Sequence, residues 1–191
     1  MTEIARVRRS KQEARATYDR LARYFDLVEA PFERRFRLAG LSLFRANQGE
    51  RLLEIGFGTG QCLEELALAV GTSGRVAGID LSSGMRDVAM RRLHAAGLDG
   101  RTDLRLGDAA ALQSGYASFD GVFMSFTLEL FDTPEIPVVL AECRRVIHEE
   151  GRMVACPWRH RSAPGSWIAC ICGATSGSQG SWIVDRSLCD R

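Results

Sequence analysis

From residue 50 to residue 155, short apolar segments alternate with longer stretches whose apolar residues recur at helical spacing. Five segments have the length and pattern of strands, at 51–55, 75–80, 102–106, 119–125 and from 152 onward. Helices are predicted after the first, second and fourth of these strands, with a weaker helix at about 109–116. Strands that alternate with helices favour a parallel sheet with right-handed crossovers. The pattern therefore predicts an α/β fold, a mostly parallel sheet with helices on both faces.

The ends of the predicted helices are marked by particular residues. Ser82 is a candidate cap for the second helix, which stops near Gly97. For the last helix, Asp132 or Thr133 ahead of Pro134 is the predicted start, and residues 150–151 are the predicted end.

The first 46 residues predict two further helices. Apolar residues recur over 18–28 and again over 32–44, and Pro31 interrupts the pattern. Such helices would either pack against the sheet or lie over the carboxyl ends of its strands. In the second arrangement Tyr18 and Tyr24 could face a ligand, while packing in the core or at the surface is the alternative.

Composition narrows the class of protein. A chain of 191 residues has room for one sizeable domain, and 46% hydrophobic residues with a formal charge of +1 are typical of a globular protein. The basic residues near the amino end are interleaved with acids, which favours a solvated helix face over a polyanion site. No apolar run approaches the roughly 20 residues that span a bilayer. We therefore expect a cytoplasmic protein with no integral membrane segment and no nucleic-acid partner.

The six cysteines do not form a metal-binding pattern. They are irregularly spaced, without a C-x-x-C pair or a histidine at ligand spacing. Buried or incidental free thiols are the expected outcome, and no metal is predicted.

Residues 51–60 read R-L-L-E-I-G-F-G-T-G and carry the most informative chemistry. Three glycines follow an apolar strand at every second position and precede a predicted helix. Glycine permits positive φ and a close approach of the backbone to a ligand, and open α/β sheets bind nucleotide-like ligands at this place. The dinucleotide fingerprint G-x-G-x-x-G would need a glycine at 61, where this chain has Gln61. The spacing argues against a dinucleotide-binding oxidoreductase.

Two acids follow the next strands. Asp80 lies twenty residues beyond Gly60, at the end of the second strand, where a carboxylate can accept hydrogen bonds from two vicinal ribose hydroxyls. Asp108 follows the third strand. Its carboxylate could accept a hydrogen bond from an exocyclic amine such as that of adenine, or it could cap a helix.

Five motifs in order resemble class I S-adenosylmethionine-dependent methyltransferases. They are E-I-G-F-G-T-G, G-I-D-L-S with Met85, G-D-A, F-D-G-V-F-M-S-F-T-L-E-L-F, and L-A-E-C-R-R-V-I-H-E-E-G-R. The chain is most similar to the ubiquinone and menaquinone biosynthesis C-methyltransferases, which have a methyltransferase type 11-like domain. The resemblance implies a Rossmann-like fold, S-adenosylmethionine as cofactor, and methyl transfer to a small-molecule acceptor such as a quinone-like or lipid-like compound.

The resemblance also assigns roles by position. Residues expected to wrap the methionine and ribose moieties are Glu54, Gly56, Phe57, Gly58, Gly60 and Asp80. Residues expected around the adenine are Leu81, Met85, Asp108 and Ala109, and Ser125 and Phe126 are expected near the methyl group. No catalytic base is assigned, because His94, His148 and Glu129 are candidates only by residue type.

The chain divides into amino-terminal helices (1–46), a cofactor-binding domain (47–156) and an atypical tail (157–191). Members of the family usually add a helix and two strands after the fifth strand, so we expect this sheet to lack its last strands. The tail, rich in cysteine, tryptophan, glycine and serine, is interpreted either as an out-of-frame translation or as a divergent segment with its own role. The alternative to an enzyme is therefore a non-catalytic cofactor-binding or interaction remnant. The sequence predicts no oligomeric state.

Overall fold

Apolar segments of five to ten residues pair as parallel strands in the computed structural model, which describes residues 10–28, 31–115, 117–156, 171–172 and 183–184. The sheet order is β3-β2-β1-β4-β5. Its strands are β1 (Arg51–Ile55), β2 (Arg75–Asp80), β3 (Thr102–Leu106), β4 (Phe119–Ser125) and β5 (Ile147–Cys156). The predicted Rossmann-like arrangement of a parallel sheet is confirmed. The strand order reverses between β1 and β4, which opens a crevice at the carboxyl ends of these strands.

Helices connect the strands and cover both faces. They are α1 (Lys11–Leu21), α2 (Phe25–Val28), α3 (Pro31–Phe44), α4 (Gln61–Ala69), α5 (Ser83–Ala95) and α6 (Ile136–Val146). Ser10 caps α1 in a reciprocal pair with Glu13. The predicted cap of α5 is confirmed, since the Ser82 hydroxyl accepts the N–H of Met85 at 3.1 Å.

Alternating side chains of the buried strands divide the core into two layers. Leu52 and Phe123 belong to the layer beneath α3, α4 and α5, whereas Leu53 and Met124 belong to the layer beneath α6. Phe44 of α3 packs against Phe123, with ring centroids 5.4 Å apart and a tilt of 57°. Full burial of side chains of this size stabilises the fold by about 1.5–3 kcal/mol each.

The boundary between the last helix and β5 differs from the prediction. Helix α6 begins at Ile136 rather than at Asp132 or Thr133, and it ends at Val146. Strand β5 begins at Ile147 rather than at residue 152, because a bulge shifts the pairing from Phe119 with Ile147 to Gly121 with Arg152. The buried Ile147 thereby packs in the core as a strand residue.

The weak helix predicted at about 109–116 is wrong for the residues that the structure describes there, 109–115, which form a turn followed by an irregular loop. Side chains of α6 bind the backbone of this loop. Glu142 accepts the N–H of Leu112 at 2.8 Å, and Arg145 donates to the carbonyls of Leu112 and Ser114, each at 2.8 Å. These long-range bonds satisfy backbone groups that a helix would otherwise pair locally.

Helices in the amino-terminal segment are confirmed, with three among the described residues where two were predicted. The segment 18–28 is interrupted after Leu21, which is exposed, and Tyr24 is 63% exposed. On α3 the buried positions are Arg37, Gly40 and Phe44, whereas Leu38 is exposed. A charged residue, Arg37, therefore lies on the buried face of α3.

Two short strands, β6 (Ile171–Cys172) and β7 (Ile183–Val184), pair antiparallel and form a second sheet apart from the main one. Apart from these four residues, the tail 157–191 lies outside the described residues, and so do the interpretations of it. The division at residues 46 and 156 stays a prediction. No helix within the described ranges combines the length and apolar character needed to cross a membrane.

Candidate cofactor site

A cavity of about 720 Å³ lies at the carboxyl ends of β1, β2 and β4. Its position matches the crevice expected where the strand order reverses. Ten of the twelve residues assigned by position line it: Glu54, Gly56, Phe57, Gly58, Asp80, Leu81, Met85, Ala109, Ser125 and Phe126. Gly60 does not line the cavity and forms the amino-terminal cap position of α4, and Asp108 also lies outside the lining.

The glycine turn requires glycine for two different reasons. Gly56 has φ +70°, and a Cβ there would come within 2.3 Å of Thr127 Oγ1. Gly58 has φ +52°, but a Cβ there would meet no heavy atom within 4 Å and would occupy cavity space. Gly56 thus permits the packing of Thr127, whereas Gly58 keeps space in the cavity open.

Asp80 joins the end of β2 to the glycine turn. Its Oδ2 accepts the N–H of Gly58 at 2.9 Å, and its Oδ1 accepts the N–H of Ser82 at 2.8 Å. Burial raises the pKa of Asp80 above its usual range, although the backbone N–H bonds act in the opposite direction. Each carboxylate oxygen keeps acceptor capacity beyond one amide bond, so the group can still accept ligand hydroxyls.

Three polar side chains meet at the floor of the cavity. Glu54 is 2% exposed, Cys62 is buried, and Arg37 is 9% exposed. Burial, followed by the negative charge of Asp80, raises the pKa of Glu54 well above its usual range. Burial and the charge of Glu54 likewise raise the pKa of the Cys62 thiol.

Glu54 also has an orphaned atom. Its Oε2 is buried and has no hydrogen-bond partner within the described part of the chain. A buried acceptor left unpaired costs about 1–3 kcal/mol, more if it is charged. The floor therefore presents an acceptor that suits a cationic or hydrogen-bond-donating ligand group.

The end of β4 forms another wall. Ser125 lines the cavity, and its Oγ is buried without a hydrogen-bond partner among the described residues. Phe126 follows with φ +53°, a left-handed conformation that costs a bulky residue on the order of 1–3 kcal/mol. Its N–H donates to the carbonyl of Cys156 at 2.7 Å, which holds this turn against β5.

Asp108 does not reach the cavity because its carboxylate has other partners. Its Oδ2 lies 2.6 Å from the Lys11 ammonium, and its Oδ1 accepts the N–H of Ala110 at 3.0 Å. The second bond is the local backbone contact expected of a capping residue, although no helix follows. Of the two consecutive residues Asp108 and Ala109, only Ala109 lines the cavity.

Both predicted arrangements of the amino-terminal helices occur: α1 and the start of α2 lie at the cavity beside the carboxyl ends of the strands, whereas α3 packs against the sheet through Phe44. Tyr18 and Phe25 line the cavity, with ring centroids 6.3 Å apart, while Tyr24 does not line it. Asp26 accepts hydrogen bonds from Thr59 Oγ1 at 2.6 Å and from Gln61 Nε2 at 2.9 Å, which ties this segment to the glycine turn.

Sequence reasoning missed Arg37 as a site residue. Arg37, Gly40 and Phe44 follow helical spacing, so a charge falls on the buried stripe of α3. The sequence alone did not mark this stripe, because the rotation of α3 is decided by its packing. Lys11, Asp19 and Asp26 were also unmarked, because acids and bases alternate throughout the segment.

The three candidate bases separate in space. His94 is largely exposed on α5 beside Asp99, and His148 lies at the amino end of β5, where it pairs with Asp120 at 2.8 Å. Glu129 lines the cavity. Only Glu129 of the three is therefore near the place where a ligand would bind.

Comparison with known proteins agrees with this geometry. Residues 52–151 match the methyltransferase domain family. The chain is 35% identical over 136 residues to a nocamycin O-methyltransferase of Saccharothrix syringae, covering 71% of this chain and 48% of that protein. It is 28% identical over 148 residues to a demethylmenaquinone methyltransferase of Symbiobacterium thermophilum, covering 75% and 58%.

A solved structure supports the fold. A SAM-dependent methyltransferase from Aquifex aeolicus superimposes with a TM-score of 0.61 at 22% identity, over 75% of this chain and 77% of that one. The chain belongs to the methyltransferase domain family, which confirms the predicted methyltransferase class. The chain spans about half the length of the curated relatives that it matches.

Proposed function

We propose that this chain binds S-adenosylmethionine in the cavity and transfers its methyl group to a small, apolar acceptor. The observation that carries the proposal is the orphaned Glu54 Oε2, a buried acceptor in the cavity floor. S-adenosylmethionine suits this acceptor, because the methionine moiety of the cofactor carries an ammonium group that can donate hydrogen bonds. The buried Ser125 Oγ in the wall is a second atom that a ligand could satisfy.

The proposed roles follow from the positions of the side chains. Asp80 would accept the ribose hydroxyls, and the open space at Gly58 would admit the ligand close to the backbone. Glu54 would bind the ammonium of the methionine moiety, and Arg37 would bind its carboxylate. Leu81, Met85 and Ala109 would enclose the adenine. Gly56 and Phe57 would line the cavity beside the ligand, whereas Gly60 and Asp108, which lie outside the lining, would support this shell from behind.

S-adenosylmethionine supplies an electrophilic methyl group on a sulfonium when it is bound. The protein residues would act by positioning and by excluding water, since an in-line displacement depends on alignment of the acceptor. Tyr18 and Phe25 would cover the cavity from the solvent side. Glu129 is the candidate to accept a proton from a carbon or oxygen acceptor, because it lines the same cavity.

The acceptor is proposed to be quinone-like or lipid-like. Phe126, Leu130 and Phe131 line the cavity beside the end of β4, and apolar walls favour a ligand of low polarity. The relatives named demethylmenaquinone methyltransferases support a quinone-like ring. The acids Asp132 and Glu135 at the same rim make an anionic acceptor a poorer match.

Two measurements test the proposal. Calorimetric titration with S-adenosylhomocysteine should show one binding site per chain. Glu54→Gln should lower the affinity of that site by about tenfold or more, since a charged hydrogen bond is lost. Transfer of labelled methyl from S-adenosylmethionine into a demethylmenaquinone extract should then follow binding. No heat at millimolar ligand would contradict cofactor binding, whereas binding without transfer to any small molecule would favour a non-catalytic cofactor-binding module.

A further inference from the structure

Helix α1 covers the cavity without burying any of its own side chains. Its inner side nevertheless lines the cavity through Lys11, Ala14, Arg15 and Tyr18. A helix with no buried apolar face receives little hydrophobic stabilisation from the body of the protein. Its position therefore depends on specific polar contacts.

The first of these contacts is a bridge formed by Lys11. Its ammonium lies 2.6 Å from Asp108 Oδ2 and 2.6 Å from Glu135 Oε1. Asp108 follows β3 and Glu135 directly precedes α6, so Lys11 joins two loops that are distant in the sequence. Partial burial acts to lower the pKa of Lys11, but the two acids outweigh it and raise that pKa, which keeps the bridge charged.

The second contact joins α1 to the start of α5. Asp19 Oδ1 accepts the Ser82 hydroxyl at 2.5 Å and the N–H of Gly84 at 2.8 Å. The approach is close, because a Cβ at Gly84 would lie 2.9 Å from the carbonyl oxygen of Asp19 and 3.0 Å from its Cα. The absence of a side chain at Gly84 thus allows α1 to dock on α5.

We propose that Lys11 is a positioning residue, which holds α1 closed over the cavity by joining Asp108 to Glu135 and so controls how long a nucleoside ligand stays bound. The identity of that ligand rests on the proposed function. The bridge also gives Asp108 a use that differs from direct adenine binding. In this protein the acid after β3 anchors the covering helix, and Gly84 provides the surface on which that helix docks.

Hydrogen exchange of the ligand-free protein tests closure independently of any activity. Lys11→Met removes the charge but keeps an unbranched stem, and amides of α1 should exchange about five-fold faster, as expected from losing two partly exposed ion pairs. Lys11→Arg should restore slow exchange, since guanidinium can also bridge two carboxylates. Gly84→Ala should speed exchange of α1 while α5 keeps its protection, because alanine favours a helix.

Gly100→Ala is the matched control, because a Cβ at Gly100 would meet nothing within 4 Å. It should leave the exchange of α1 unchanged. A double-mutant cycle adds specificity: Glu135→Gln should speed exchange in the wild-type background and have little further effect in Lys11→Met. Additive effects of these two substitutions would overturn the proposed bridge.

Ligand retention is measured with S-adenosylhomocysteine. Its dissociation rate should rise about five-fold in Lys11→Met and should return to the wild-type value in Lys11→Arg. The rate should depend on salt concentration in the wild-type protein but not in Lys11→Met, which lacks the charge. Unchanged dissociation in Lys11→Met would overturn the role in retention. If the wild-type protein binds no S-adenosylhomocysteine, the proposed function fails, and unchanged exchange of α1 in Lys11→Met would separately overturn the positioning role.

Discussion

The carboxylate of Asp80 and the backbone N–H of Gly58 form a 2.9 Å hydrogen bond that joins the end of β2 to the glycine turn after β1. One oxygen thereby fixes the conformation of the turn while the carboxylate lines the cavity. This relationship makes Asp80 both a scaffold residue and a candidate ligand contact.

Asp80→Asn should weaken binding of S-adenosylhomocysteine about tenfold or more, since an amide offers one acceptor oxygen where the carboxylate offers two. Calorimetric titration measures the effect. Asp103→Asn on the exposed edge strand is the control, and it should leave affinity unchanged because Asp103 pairs with Arg105 away from this cavity. Equal losses in both variants would contradict a specific role for Asp80.

The two glycines of the turn should respond differently to alanine. Gly56→Ala combines positive φ with a 2.3 Å clash against Thr127, so we expect a loss of more than about 2 kcal/mol in unfolding free energy. Gly58→Ala meets no neighbour and should cost only about 1 kcal/mol, yet it should reduce ligand affinity because its methyl group enters the cavity. Urea unfolding and calorimetry together check the pair; full affinity in Gly58→Ala would contradict the assignment.

Glu54→Gln should stabilise the ligand-free protein at neutral pH while it weakens ligand binding. Burial raises the pKa of Glu54, so the folded protein holds the proton more tightly than the unfolded chain does. The stability contribution of Glu54 is therefore complete below the unfolded pKa of about 4.3 and is lost as the pH rises toward the folded pKa. The gain in unfolding free energy of Glu54→Gln, on the order of 1 kcal/mol, should grow above about pH 5.

Glu142→Gln should change stability with the opposite pH dependence to that of Glu54→Gln. Hydrogen bonding by Arg145 lowers the pKa of Glu142, so its stability contribution is present above the unfolded pKa and is lost as the pH falls below it. We expect Glu142→Gln to destabilise at neutral pH and the difference to shrink below about pH 4. Thermal unfolding from about pH 2 to about pH 8 measures both variants, and parallel pH profiles for the two would contradict this account.

Arg152 should matter for stability but not for ligand affinity. Its guanidinium donates to the carbonyl of Arg45 and to both oxygens of Glu50, and it stacks 4.6 Å from the Phe44 ring centroid. Arg152→Met should therefore cost about 2 kcal/mol of unfolding free energy.

The matched control for Arg152 is Arg105→Met, which breaks an exposed ion pair with Asp103 and should cost less than about 1 kcal/mol. Calorimetry with S-adenosylhomocysteine should give wild-type affinity for both variants. A drop in affinity for Arg152→Met at unchanged stability would show that the contact serves the cavity instead.

Most of the sheet could be predicted because buried strands need short apolar segments, and the segments at 51–55, 75–80, 102–106 and 119–125 match the observed strands. The family followed from the order of the five motifs. Prediction was weaker where tertiary contacts compete with local pattern: Ile147 suits a helix or a strand by itself, and pairing with Phe119 decided for the strand.

The sequence by itself determined the order of the elements, the glycine turn and the acid at the end of β2, because each depends on local backbone geometry or on apolar periodicity. Tertiary structure alone decided that Arg37 faces the cavity, that the loop at 109–115 is held by Glu142 and Arg145, and that Lys11 pairs with Asp108. These contacts join residues 30 to 97 positions apart or depend on how α3 is rotated. No local pattern encodes such distances, and only the packing of the elements brings the charges together.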